Sequence, residues 1–201
     1  MTLDKTPELF STIDWCNRQT NNTENPPFVC FQQMFDSLSL HEETTLQNYN
    51  FQPKLSKSTG LPLPVSLAHG WGAHYLKLEN QWVSDEFIFL KQRLELLPFY
   101  SLCSRIALMS LETNGYIAPH SDYPVCQQIA IPLITNPEFH FVWENHSEEP
   151  LKQYRIYLIN IRQQHAVYNL GPKRIFINCT VDKTDNGDAL TKIFNQFRLT
   201  L

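Results

Sequence analysis

The pattern of hydrophobic residues changes near position 100 of the chain. Before it, two stretches carry apolar residues at helical spacing, each preceded by residues typical of a helix start. The first follows Thr6 and Pro7, and its apolar positions are Leu9, Phe10, Ile13 and Trp15. The second follows Ser84, and its apolar positions are Phe87, Ile88, Leu90, Leu94 and Leu97, with Pro98 ending the run. The pattern therefore predicts two helices in the first half of the chain.

The segments between these helices carry turn-forming residues. Residues 17–27 and 52–64 are rich in Asn, Ser, Thr, Pro and Gly, which favour loops. A glycine-rich turn is predicted around Gly70 and Gly72, with His69, Trp71 and His74 beside it. These three side chains either line a substrate entrance or simply pack beneath the turn.

Beyond residue 100 the pattern is typical of strands. Short runs rich in β-branched and aromatic residues occupy 104–111, 127–134, 139–143, 154–161 and 174–181, separated by Gly, Pro, Asn and Asp. Closely spaced strands after a helical block predict a mainly β fold with flanking helices, in the form of a double-sheet jelly roll. We expect one domain over 1–201: a helical and loop part to residue 100, a jelly-roll core at 101–182, and a C-terminal segment at 183–201.

Composition and charge narrow the class of protein. The chain has 201 residues, 42% of them hydrophobic, which suits one sizeable core. Its formal charge of -4 gives no broad basic surface, so a nucleic-acid partner is not expected. No apolar run approaches the ~20 residues that span a bilayer, and the N-terminus lacks the pattern of a signal peptide. Five scattered cysteines without a CxxC pair fit a reduced, cytoplasmic protein.

Two histidines and one aspartate form the main candidate for chemistry. His120 and Asp122 lie two positions apart, so on extended backbone both side chains project to one side. His165 begins a later strand, and we expect it to arrive from the facing sheet. Two imidazoles and one carboxylate on one face of a metal suit Fe(II) and leave positions for a chelating co-substrate and O2. By itself a His-x-Asp pair is weak evidence, because chance produces it often in a chain with seven histidines.

Arg174 strengthens the case. It lies on the strand that follows His165, beyond the turn at 169–172. A guanidinium there can bind the distal carboxylate of 2-oxoglutarate as a charge-assisted, bidentate pair.

Four motifs in order resemble a known family. They are Pro-His-x-Asp at 119–122 after an apolar strand, Ile-Pro-Leu-x-Thr-Asn-Pro at 131–137, His-x-Val-x-Asn-x-Gly at 165–171, and Arg-Ile at 174–175. Over residues 104–182 the chain resembles the aspartyl/asparaginyl β-hydroxylase and proline-hydroxylase family of Fe(II)/2-oxoglutarate oxygenases. The resemblance implies a double-stranded β-helix, the iron ligands His120, Asp122 and His165, and Arg174 as the 2-oxoglutarate anchor. It also implies hydroxylation of an amino-acid or peptide-like substrate.

The chain departs from the family pattern at Gln128. The family commonly has an arginine there, so the neutral amide changes contacts either to the substrate or to 2-oxoglutarate. Arg105 either restores a cation to the pocket or is a surface residue. Ser110 is a candidate hydroxyl donor to the co-substrate, unless strand alternation gives that face to its neighbours. Trp143 is expected to form core or pocket wall, where it could touch the substrate.

Two other functions use similar ligands. A cupin-like isomerase or lyase would hold Zn or Mn without redox chemistry, and Arg174 argues against it. A degenerate jelly roll that only binds its ligand could follow from the change at Gln128, and the complete triad argues against that.

Overall fold

The computed structural model describes residues 28–56, 58–122, 126–144, 151–159, 161 and 163–182. The helix predicted near residues 6–15 and the C-terminal segment 183–201 lie outside the described residues. The elements, in chain order, are β1 (Phe28–Met34), α1 (Leu40–Asn48), β2 (Gln52–Pro53), β3 (Ala68–Leu78), β4 (Gln81–Trp82), α2 (Ile88–Glu95), a 3-10 turn (Tyr100–Leu102), β5 (Cys103–His120), β6 (Cys126–Ile134), β7 (Phe139–Trp143), β8 (Arg155–Ile159), β9 (His165–Asn169) and β10 (Arg174–Asp182).

The strands form a strongly curled antiparallel sheet. Its main part has the order β1-β8-β6-β10-β5-β3-β2. The long strand β5 bends near Asn114, which has a positive φ of 60°. Beyond the bend, β5 pairs with β9 and with the first residues of β3, and β9 in turn pairs with β7. These strands form the smaller facing sheet. The chain thus folds as a double-stranded β-helix, as the sequence predicts.

Alternation along the strands gives the main sheet two different faces. The outward residues of β5, β6 and β10 join one core with residues of both helices. Members of that core include Leu46 of α1, Leu90 and Leu94 of α2, and Ile106 and Ile177 of the sheet. The inward residues face the smaller sheet, where a second apolar cluster includes Leu111, Ala130, Phe141 and Val167. A cavity remains between the two sheets, and it holds the candidate site.

Asn169 fixes the loops at one end of the barrel. Its side chain is fully buried and donates to the backbone carbonyls of Leu111, Glu112 and Pro172. Its Oδ1 accepts from Asn136. A buried amide satisfied in this way ties the bend of β5 to the turn before β10. This turn therefore holds Arg174 at a defined position.

The second half of the chain matches the prediction better than the first. The strands expected after residue 100 are present, although β5 runs on to His120 and β8 is shorter than predicted. A helix follows Ser84, but it spans only Ile88–Glu95. The description of residues before 100 as helix and loop is wrong where β1 and β3 lie. The expected glycine-rich turn is part of β3, whose backbone pairs there with β5 on one side and with β2 on the other.

Helix α1 was not predicted from the sequence. It starts with a capping box, in which Ser39 and Glu42 exchange side-chain and backbone hydrogen bonds. Among the described helices none is long and apolar enough to cross a membrane. The thiols of Cys103 and Cys179 are free and fully buried, as expected for small hydrophobes.

Candidate metal centre and ligand cavity

The cavity between the two sheets has a volume of about 160 Å³. A cavity of roughly 150 Å³ can hold a ligand of the size of benzene, so this one suits a small organic molecule. Polar residues in its wall are Lys54, Arg105, His120, Asp122, Gln128, His165, Arg174, Asn178 and Thr180. The apolar wall includes Trp71, Met109, Phe141 and Phe176.

His120, Asp122 and His165 meet at this cavity. One potential ligand atom from each lies within 4.8 Å of the other two. The Nε2 of His120 is 3.8 Å from Oδ1 of Asp122, and the two imidazole rings are 4.3 Å apart between centroids. His120 and His165 are directly paired on β5 and β9. The expectation that His165 comes from the facing sheet is therefore wrong, because both histidines belong to the smaller sheet.

The hydrogen bonds of the histidines leave one nitrogen of each free for a metal. His120 Nδ1 lies 2.8 Å from the carbonyl of Ala118, and His165 Nδ1 lies 3.0 Å from the carbonyl of Gln163. A carbonyl only accepts, so each Nδ1 carries the proton and donates. The lone pair then resides on Nε2, the form in which imidazole binds metals. In both cases the backbone carbonyl two residues before the histidine thus selects the tautomer that a metal requires.

His165 is held in its neutral form. It is 3% exposed, and burial together with the nearby His120 lowers its pKa to about 4. The ring of Phe141 stacks on it, with centroids 5.4 Å apart. A neutral imidazole at physiological pH needs no deprotonation before it binds a cation.

Asp122 is oriented by its surroundings. Its backbone N–H donates to Ile161 O at 2.9 Å, which anchors the residue after the end of β5. Its Oδ2 accepts from Gln128 Nε2 at 3.3 Å, while Oδ1 faces His120. One carboxylate oxygen therefore points to the histidines and the other is occupied by an amide.

Arg174 lies at the start of β10, whereas Thr180, which pairs with Gln128, lies near the end of that strand, so the arginine and the amide are at opposite ends of the cavity. Its side chain is 1% exposed, and none of its three guanidinium nitrogens has a hydrogen-bond partner among the described residues. The guanidinium carbon lies 3.4 Å from the ring centroid of Phe139 and 4.3 Å from that of Phe176. Burial lowers the pKa of this group. A buried cation with unused donors is costly, and an anionic ligand would remove that cost.

A row of polar residues crosses the main sheet at the other end. Arg105 on β5, Thr180 on β10 and Gln128 on β6 are register neighbours on three adjacent strands. Arg105 donates to the Thr180 hydroxyl at 3.2 Å. Among the described residues no carboxylate pairs with this arginine, which is half-buried in the cavity wall. The row gives the cavity a cationic but hydrogen-bonded end.

Two predicted site residues face elsewhere. Ser110 lies on the opposite face of β5, beneath Gly72, where a Cβ would be 2.6 Å from its Oγ. It lines a second, outer cavity of about 540 Å³ together with His69 and is not part of the inner cavity wall that contains Arg174. Trp143 is fully buried behind Phe141, its ring stacked at 4.3 Å between centroids, and it is absent from the cavity wall.

The residues beside Trp71 also differ in role. Trp71 lines the inner cavity, whereas His74 is held between the Tyr49 and Ser84 hydroxyls on the other side of β3.

Sequence reasoning did not identify Lys54, Phe139, Phe141, Phe176 and Asn178 as site residues. For Phe176 and Asn178 a signal was available, because they share the parity of Arg174 along β10.

Comparison with known proteins supports the fold. No family model and no curated protein sequence matches this chain. A prolyl hydroxylase from Trichoplax adhaerens, in complex with a hypoxia-inducible-factor peptide fragment, is 13% identical with a TM-score of 0.54, covering 93% of this chain and 98% of that one. A 2OG-Fe(II) oxygenase family oxidoreductase from Burkholderia pseudomallei is 12% identical with a TM-score of 0.52, covering 83% and 97%. These likenesses show a shared fold.

Proposed function

We propose that this protein is an Fe(II)- and 2-oxoglutarate-dependent oxygenase. The observation that carries the proposal is the pairing, in one small cavity, of a His-Asp-His cluster with a buried arginine whose guanidinium has no hydrogen-bond partner among the described residues. The cluster offers three ligands on one side of a metal, which suits Fe(II) with open positions. The fold shared with oxygenase structures agrees with this assignment.

Arg174 would hold the distal carboxylate of 2-oxoglutarate. Its guanidinium is already fixed between Phe139 and Phe176, so little side-chain entropy is lost on binding. Two donors in a plane match the geometry of a carboxylate. A diacid satisfies the orphaned cation at one end and can chelate a metal with its 2-oxo acid end, which a neutral ligand cannot do.

When bound, the iron and its co-substrate supply oxidation of a C–H bond by O2, coupled to decarboxylation of 2-oxoglutarate to succinate and CO2. The protein contributes position and exclusion of water. His165 and Phe141 form a dry wall on one side, and His120 and Asp122 are about one-third exposed on the other. We infer that the substrate approaches from this more exposed side.

The substrate would be an amino-acid or peptide-like molecule, as expected for an aspartyl/asparaginyl or prolyl hydroxylase. The peptide held by the Trichoplax prolyl hydroxylase supports a peptide as one form of it. Arg105, the cation at the more exposed end, would contact an anionic group of that substrate. Free thiols at Cys30, Cys103 and Cys179 agree with a reducing, cytoplasmic setting.

Succinate formation tests the proposal. Purified protein with Fe(II), ascorbate, O2 and 2-oxoglutarate should release succinate, and release should increase with a substrate from a panel of amino acids and peptides. At a 2-oxoglutarate concentration near the wild-type constant, Arg174→Met should release little succinate, whereas Lys173→Met, which alters the adjacent outward-facing cation, should not reduce the release. Metal binding without any succinate across the panel would contradict the oxygenase assignment and favour a cupin-like isomerase or a binding protein.

A further inference from the structure

A chain of two amides leads to the carboxylate of Asp122. Asn178 Nδ2 donates to Gln128 Oε1 at 3.0 Å, and Gln128 Nε2 donates to Asp122 Oδ2 at 3.3 Å. The three residues come from β10, from β6 and from the segment after β5. The main sheet thereby contacts the only acidic member of the candidate metal cluster.

The chain determines the orientation of Gln128. If its amide were flipped, its oxygen would face Asp122 Oδ2 and its NH2 group would face the NH2 group of Asn178. Both contacts would then be repulsive, so the donor of Gln128 must point at the carboxylate. Because Ala130 and Ala107 flank Asn178 in register, the small neighbours leave room for the two amides to meet.

The contact has a defined effect on Asp122. It occupies Oδ2 and leaves Oδ1 directed to His120, 3.8 Å from Nε2. A neutral amide restrains the carboxylate but does not compete with a metal ion for its negative charge. The guanidinium that is common at this position in the family that the sequence resembles would compete. Hydrogen bonds to a ligating carboxylate commonly restrict its rotation and raise metal affinity.

We propose that Gln128, oriented by Asn178, is a positioning residue that presents a single oxygen of Asp122 to the metal. This role differs from the direct contact to substrate or 2-oxoglutarate considered above for Gln128. The inference rests on the metal-binding part of the proposed function. It does not require that the protein turn over any particular substrate.

The test measures affinity for Mn(II), a redox-stable probe for sites of imidazole and carboxylate. Gln128→Met keeps the length of the side chain and removes its donor, and we expect Mn(II) affinity to fall about 10- to 100-fold. Gln127→Met is the matched control, since Gln127 is the same residue type next to it on β6 and is absent from the cavity wall. The control should bind Mn(II) as the wild type does.

A second pair of variants separates positioning from general damage. Asn178→Leu should cause a smaller loss of Mn(II) affinity alone, and no further loss in the Gln128→Met background, because Asn178 acts only through Gln128. Thermal unfolding of the metal-free variants should match the wild type. Equal Mn(II) affinity in wild type and Gln128→Met, or additive effects of the two substitutions, would overturn the inference. Failure of the wild type itself to bind Mn(II) would instead contradict the proposed function.

Discussion

Each end of the cavity contains an arginine, but the two arginines differ in burial and in hydrogen bonding. At the closed end, Arg174 is 1% exposed, clamped by two aromatic rings and left without a hydrogen-bond partner among the described residues. At the open end, Arg105 is half-buried and already bonded to Thr180, beside the amides of Gln128 and Asn178. Asp122 of the candidate metal cluster contacts the open end through Gln128.

This difference in burial and hydrogen bonding indicates which end of the cavity is specialised for an anionic ligand. A buried cation without a hydrogen-bond partner carries a large desolvation cost, and a matching anion offsets much of that cost. A half-buried cation that keeps a hydroxyl partner and access to water gains less free energy when it binds an anion. Under the proposed function, the closed end would therefore hold 2-oxoglutarate and the open end the substrate.

Loss of a metal ligand should have the largest effect, since in the proposed reaction both the co-substrate and the substrate depend on the metal. His165→Ala removes a buried, neutral imidazole whose Nε2 faces the cluster. We expect Fe(II) affinity, measured anaerobically, to fall by more than the roughly 100-fold that loss of an outer hydrogen bond can cost.

His140→Ala is the matched control for His165→Ala. His140 lies on β7, its ring stacks on Tyr168, and it is not part of the cavity wall. Its loss should leave Fe(II) affinity unchanged. Unaltered Fe(II) binding in His165→Ala would remove this residue from the metal site.

Arg174→Met tests the closed end. The apparent constant for 2-oxoglutarate should rise by roughly 30- to 4,000-fold, which corresponds to about 2 to 5 kcal/mol for a broken buried charge pair. The ligand-free variant should unfold at the same or a higher temperature, because it no longer buries an unpaired cation. Isothermal titration and thermal unfolding give the two measurements.

This pair of results separates a binding role from a structural one. If Arg174 stabilised the fold, Arg174→Met would lower the unfolding temperature of the ligand-free protein. Lys173→Met provides the reference, because Lys173 bonds the carbonyls of Gln47 and Tyr49 outside the cavity. Equal 2-oxoglutarate affinity in Arg174→Met and wild type would contradict the assignment of the closed end.

Arg105→Met tests the open end and should have a smaller effect. We expect KM for an anionic substrate to rise about 10-fold, the lower part of the range for hydrogen bonds to charged groups, because the site is partly solvated. The constant for 2-oxoglutarate should stay unchanged. If the constant for 2-oxoglutarate rose and the substrate KM did not, the two ends would be assigned the wrong way round.

The closed end was more predictable from the sequence than its surroundings were. Arg174 and the three candidate ligands lie in short motifs with fixed spacing, and the strand patterns located β6, β7, β8 and β10. The clamp around Arg174 was not predicted, because Phe139 comes from a different strand and only tertiary packing brings it there. Likewise the bond from Gln128 to Asp122 depends on the loop after β5, which no periodic pattern defines.

The first hundred residues illustrate the opposite case. Strand β3 contains Gly70 and Gly72, whose turn propensity hides its pairing with β5. Gly72 is required there by packing, since a Cβ would lie 2.6 Å from both Phe51 Cβ and Ser110 Oγ. The glycines thus indicated a turn from local propensity alone. In the structure, Gly72 lies in a strand because neighbouring elements approach it closely.

Ser110→Ala should have the smallest effect on the site, and it tests whether the closed end is confined to the inner face of β5. Ser110 is 1% exposed beneath Gly72, and its hydroxyl has no partner among the described residues. We expect the 2-oxoglutarate constant to change less than about 2-fold and stability to rise slightly, since an unsatisfied buried hydroxyl costs about 1 to 3 kcal/mol. The adjacent Met109→Ala, on the cavity wall, should weaken 2-oxoglutarate binding measurably. A tenfold loss in Ser110→Ala would mean that the hydroxyl does reach the co-substrate, and Arg174 would no longer act alone at the closed end.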